Sequence, residues 1–125
     1  MPNKFLKLFA MANENIIEKT YVLLKYTIPL FDKFPRGQKF LLADRMELIL
    51  IELLGIYTEA YYGSKEVKVT MLNNANRKLH VLRLLIRLSF EMHYISGKQY
   101  EFVSKHIFEI GNNTGAWLKS LDGKK

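Results

Sequence analysis

The residues of this 125-residue chain whose types and spacing could do chemistry are mostly cations. His80, Arg83 and Arg87 fall three and four apart, so on a helix they share one stripe. Arg77 and Lys78 extend that stripe toward the helix start. A second group, Lys33, Arg36, Lys39 and Arg45, surrounds a stretch that reads as a turn, and Lys98 belongs to the same end of the molecule. Arginine suits phosphate because its planar fork can hold two oxygens at once. Such contacts bring affinity and a steep salt dependence but little sequence reading. The competing reading is that Arg83 and Arg87 pair with Glu residues on a neighbouring helix or subunit. The formal net charge of +7 favours an anionic partner in either case.

Nothing in the sequence reads as catalytic, metal-binding or cofactor-binding. No Glu is followed three residues later by His, the spacing that builds di-iron sites in helix bundles. His106 precedes Glu109 by three, but that is one reversed pair, and His80 and His93 lie elsewhere. Gly111 and Gly115 are not followed by the Lys-Ser/Thr of a phosphate loop. Carboxylates sit at helical spacing from cations, as in Arg87 with Glu91 and Glu101 with Lys105. There is no Cys, which removes disulfides and fits a reducing cytoplasm. No run reaches the roughly 18 apolar residues that a membrane span needs, so no membrane partner is expected.

Helices must position these groups. The first is expected from about Glu14 to Phe34, with Asn13 as its N-cap and Pro29 kinking it near Lys25. Its core face reads as Ile17, Tyr21, Leu24, Ile28 and Phe31. The second starts at Pro35 and runs to about Tyr62, with Phe40, Ala43, Met46, Glu47, Leu50, Leu54 and Tyr57 on one face. The third spans about Glu66 to Tyr94, with Leu72, Ala75, Leu79, Leu82 and Ile86 as its stripe. The fourth follows "SGK" at Ser96 to Lys98, with Tyr100, Val103, Ile107, Ile110, Thr114 and Trp117 in step. Short turns and few β-branched alternations make the fold all-α: an antiparallel up-down-up-down four-helix bundle over residues 13–122. Residues 1–12 read as an amphipathic arm or a disordered lead-in, and 123–125 as a basic tail.

Two features point to packing beyond one bundle. Val81, Leu84, Leu85 and Leu88 widen the apolar arc of the third helix past one core face, which predicts self-association. In "EIGNNTGAWLKS", Gly111 and Gly115 share a face that reads as a close approach to a neighbouring helix, with Trp117 closing the end of the core. On local propensity the helix would stop at Gly111. The phase of Ile107, Ile110, Thr114 and Trp117 carries it on to about Leu121.

"KFPRGQKFLLADRM" (Lys33 to Met46), "ANRKLHVLRLLIRLSFEM" (Ala75 to Met92) and "KQYEFVSKHIFEIGNNTGAWLKS" (Lys98 to Ser120) together resemble the accessory variability determinant proteins of diversity-generating retroelements. The resemblance implies a small basic four-helix bundle that assembles as a pentameric barrel. It implies binding to the element's reverse transcriptase and its template RNA, or DNA, in support of error-bearing cDNA synthesis, with no polymerase activity of its own. It makes Arg36, Arg45, Arg77, Arg83 and Arg87 candidates for nucleic-acid or polymerase contact. The family usually carries a basic residue after "EIG"; Asn112 stands here, so no binding role is carried to it. The alternative is the helical-bundle class encoded within intervening sequences of ribosomal RNA genes. Its Arg-rich "RRAAVSIPSNIAEG"-like segment is absent from "DRMELILIELLGIYTEAYY".

Overall fold

The computed structural model describes the backbone of residues 4–122 and the side chains of residues 15–122. Helix α1 (Lys4–Asp32) is followed by a short helix α2 (Arg36–Gln38) and a π-helical turn at Lys39–Ala43. Then come α3 (Asp44–Tyr62), α4 (Lys65–Glu91) and α5 (Gly97–Ser120). There is no strand among the described residues. The α1 helix packs on α3, α3 on α4, α4 on α5, and α5 closes back on α1. The four long helices thus occupy the corners of a square. Glu52 meets Lys78 and Met46 meets Ser89 across α3 and α4, which fixes those two as antiparallel.

The turns follow from local chemistry. Ser64 caps α4 by accepting the Val67 N–H at 3.3 Å. Lys68 reaches back to the Tyr61 and Gly63 carbonyls, placing a cation on the exposed end of α3. Gly63 is needed there: an added Cβ would lie 2.6 Å from Val67 Cγ1 and 3.0 Å from the Glu59 carbonyl oxygen. Ser96 and Gln99 form a reciprocal capping box at the start of α5. At the end of α4, Tyr94 N–H bonds the Ser89 carbonyl and His93 N–H the Phe90 carbonyl, both at 2.9 Å. This is a Schellman closure, and it puts His93 at φ 66°. A side chain pays about 1 kcal/mol in that left-handed region. His93→Gly is therefore expected to raise stability by about 0.5–1 kcal/mol, read from the urea midpoint at unchanged slope.

The core confirms the phase expected for α4 and α5. Leu72, Ala75, Leu79, Leu82 and Ile86 are buried, as are Val103, Ile107, Ile110, Thr114 and Trp117. The last helix runs through both glycines to Ser120. The phase expected for α1 is corrected by one position. Ile16, Thr20, Leu23, Thr27, Leu30 and Phe31 are buried, while Tyr21 and Ile28 are exposed. Thr20 and Thr27 hold core positions because each hydroxyl donates to a carbonyl of the preceding turn, Ile16 at 2.8 Å and Leu24 at 3.1 Å. An apolar-only reading skips them. Helix α1 also starts at Lys4, so Asn13 lies inside it rather than capping it, and it continues past Pro29 to Asp32. The side chains of the expected arm, and the tail 123–125, lie outside the described residues.

The second expected helix is interrupted. Pro35 is its N-cap, and the Asp44 N–H bonds the Lys39 carbonyl five residues back, the mark of a π turn. The inserted residue rotates the helix face. Phe40, expected in the core, is 67% exposed and Leu41 76%, while Leu42 and Ala43 are buried.

Candidate nucleic-acid interface

The stripe of α4 splits into two surfaces around an apolar band. On one side stand His80, Arg83 and Arg87, all exposed. They rise beside α5: the Arg83 guanidinium lies 3.6 Å from where a Cβ on Gly111 would sit. On the other side Arg77 and Lys78 join Arg45 of α3 in a groove of about 380 Å³ between α3 and α4, floored by Leu48, Ile49 and Val81. Between the two run Val81, Leu84 and Leu88, at 45%, 48% and 44% exposure. The wide apolar arc is therefore presented outward rather than buried deeper in the bundle.

Pairing sorts the seven candidate cations. Among the described residues the ion pairs are Lys39 with Asp32 (2.7 Å), Lys78 with Glu52 (2.9 Å) and Arg87 with Glu91 (3.2 Å). Glu101 and Lys105 do not form the expected pair. Arg36, Arg45, Arg77 and Arg83 have no carboxylate within ion-pair distance among the described residues. Lys39 is the clearest departure. Its hydrogen bond and charge hold the Asp32 carboxyl below its ordinary range, and Asp32 in turn raises the lysine, with Asp44 and Glu47 adding to this. Burial, with Asp44 and Asp32 nearby, pushes the Glu47 carboxyl up. Lys39 thus neutralises a local carboxylate group instead of standing ready for phosphate. The expected grouping also changes. Arg45 leaves the turn cluster of Lys33 and Arg36 and sits with Arg77 and Lys78. Counting outward from the turn at Gly63 and Ser64 in an antiparallel helix pair already takes Arg45 away from that turn cluster and sets it against α4 residues near 82, with Glu52 against residues near 75–78.

The histidines do structural work or face solvent. His106 stacks on Phe102 with ring centroids 4.1 Å apart, and its Nδ1 lies 2.9 Å from the Phe102 carbonyl oxygen. No cluster of three metal-ligating side chains occurs among the described residues. No helix there is long and apolar enough to cross a membrane.

Within the protomer the two glycines make no close approach to a neighbouring helix. A Cβ on Gly111 would meet only the mobile end of Arg83, at ordinary contact distance, and one on Gly115 would meet nothing within 4 Å. Gly115 instead lines an open cleft with Val69, Asn73 and Leu118. Gly115→Ala is therefore expected to stabilise the folded chain by about 1 kcal/mol, a rise of about 4 °C in Tm. A fall in Tm, or a smaller particle by light scattering, would instead assign the glycine to a contact outside the protomer. Trp117 is buried as expected, at 3% exposure, and its indole N–H has no acceptor among the described residues.

Neither the curated proteins nor the solved structures contain a match to the chain. A family model does match, described as bAvd-like, over residues 15–121. That span takes in α1 from residue 15 onward and the whole of α3, α4 and α5, with both cationic surfaces of α4. The three motifs, the four-helix bundle and this match agree, and the chain belongs to the bAvd-like family.

Proposed function

We propose that the chain is a non-enzymatic accessory subunit of a diversity-generating retroelement. In this reading it binds the element's reverse transcriptase and template RNA, acts as a homo-oligomer in the cytoplasm, and supports mutagenic cDNA synthesis. Family membership carries the reading. The chemistry of the surface supports it: exposed arginines unpaired within the bundle, on a chain of net charge +7, offer phosphate contacts without a base-reading module. The outward band of Val81, Leu84 and Leu88 supports association with protein.

The test is co-purification from cells that also express the reverse transcriptase and its template RNA. Both are expected in a low-salt eluate, with RNA lost steeply as salt rises. Recovery of neither would overturn the reading. Light scattering tests the assembly, and a monomer at micromolar concentration contradicts it.

A further inference from the structure

An aromatic ring stands beside the arginine ridge of α4. The Arg83 guanidinium lies 3.6 Å from where a Cβ on Gly111 would sit. Phe108 precedes Gly111 by three positions on α5, so the two share a face and stand about 6 Å apart. The stack of Phe90 on Tyr100, 4.5 Å between centroids, fixes α4 and α5 as antiparallel. Stepping back from Gly111 to Phe108 therefore runs the same way as stepping on from Arg83 to Arg87. Phe108 is level with the interval between the two arginines.

The ring is 62% exposed. Phe102, the other exposed phenylalanine of α5, is already covered by Tyr26 and His106, at 4.0 and 4.1 Å between centroids. Phe108 enters no ring pair among the described residues. Cations dominate its surroundings: His80 continues the ridge, and Lys105 stands one turn before the ring. The acidic positions nearby are Glu91, taken by Arg87 at 3.2 Å, Glu101, two turns before Phe108, and Glu109, about 100° round the helix from it.

We infer that Phe108, Arg83 and Arg87 form a site for a single-stranded nucleic acid. An unpaired base stacks on the Phe108 ring, and the phosphates flanking it bond the two guanidiniums. A single strand supplies both groups, because every residue of it carries a flat face next to an anion. A duplex offers the phosphates but hides the base faces. An apolar protein surface laid on the ring would bury both guanidiniums, and Arg83 brings no carboxylate with it among the described residues. The same face of a second copy would set like charges against each other. The ridge also separates the ring from the outward band of Leu84 and Leu88. The inference rests on the accessory-subunit reading in taking an unpaired segment of the template RNA as the strand.

The test uses the purified full chain and labelled RNA of about 12 nucleotides. The RNA is offered as a single strand, annealed to its complement, and with abasic residues at alternate positions. Fluorescence anisotropy is expected to show Phe108→Ala weakening the single strand about tenfold, the loss of one stacked base, and leaving the duplex unchanged. Phe108→Trp is expected to keep or raise single-strand affinity. Abasic RNA is expected to bind the native chain about as weakly as intact RNA binds Phe108→Ala. The slope against salt is expected to stay the same in Phe108→Ala, because no phosphate contact is removed. A loss equal for single strand and duplex, or no loss for either, overturns the inference. Full affinity for abasic RNA does so as well. A smaller particle mass in Phe108→Ala overturns it too, by assigning the ring to a contact between copies. The accessory-subunit reading fails when co-purification recovers neither partner, whereas the inference fails when single-strand affinity ignores Phe108, so the two are separate results.

Discussion

Charge reversal of the α4 ridge, R83E/R87E, is expected to weaken RNA binding about a hundredfold at low salt, the loss of two charge-assisted contacts. The slope of log affinity against log salt is expected to fall by about 2. Folding is expected to survive, because both side chains are exposed and neither supports the core. Among the described residues Arg87 pairs with Glu91 alone, one turn away, so its reversal adds a like-charge pair worth a few tenths of a kcal/mol. Arg83 lies over Gly111, where no side chain depends on it. Anisotropy with labelled template RNA across a salt series gives the affinity and the slope together, and circular dichroism gives helicity. Loss of helicity at unchanged RNA affinity per folded molecule would make the two arginines structural. An unchanged affinity in a folded variant would move RNA binding to another face, with Arg36 next in line.

The second large effect lies in the core. Tyr57 of α3 and Thr114 of α5 are fully buried, and their hydroxyl oxygens are 2.7 Å apart across the diagonal of the bundle. The direction of that bond follows from counting protons. Thr114 has one, and it goes to the Ile110 carbonyl at 2.7 Å. Tyr57 must therefore donate to Thr114 Oγ1. Burial pushes the Tyr57 phenol well above its ordinary range, so it stays protonated and able to donate. Thr114→Val then strands a buried donor and is expected to cost about 2 kcal/mol. Tyr57→Phe removes the donor itself and leaves Thr114 bonded to its own helix, so about 1 kcal/mol is expected. The double variant is expected to match Tyr57→Phe alone, because no stranded group remains. Urea unfolding of the four proteins closes the cycle. Additive, equal costs would show that the phenol reaches another partner.

The tyrosine and the threonine also show where sequence reading reached its limit. Both were placed in the core by helical spacing alone, and both are there. Their contact was invisible, because α3 and α5 are diagonal partners separated by 57 positions in the chain. Thr20 and Thr27 failed for the opposite reason. Their polarity hid core positions that a bond to the preceding turn makes affordable, and the expected face of α1 slipped by one residue. Phe40 failed because an apolar pattern assumes constant pitch, and the π turn at Lys39–Ala43 breaks it. The last helix runs through both glycines, and within the protomer no neighbouring helix depends on their small size.

By itself the sequence determined what depends on local order. Helix periodicity, Gly63 with Ser64, and Ser96 with Gln99 fixed the long helices and their turns. The order and spacing of three motifs fixed the family. Composition set a cationic surface with no thiol chemistry. Only the tertiary structure decided which charges are available. Lys39 and Lys78 find carboxylates seven and twenty-six residues away, whereas Arg45 and Arg77 line one groove between α3 and α4 with no carboxylate within ion-pair distance among the described residues. The reason is register. Periodicity assigns a residue to a face of its own helix, but the axial offset and rotation of two packed helices decide which faces meet.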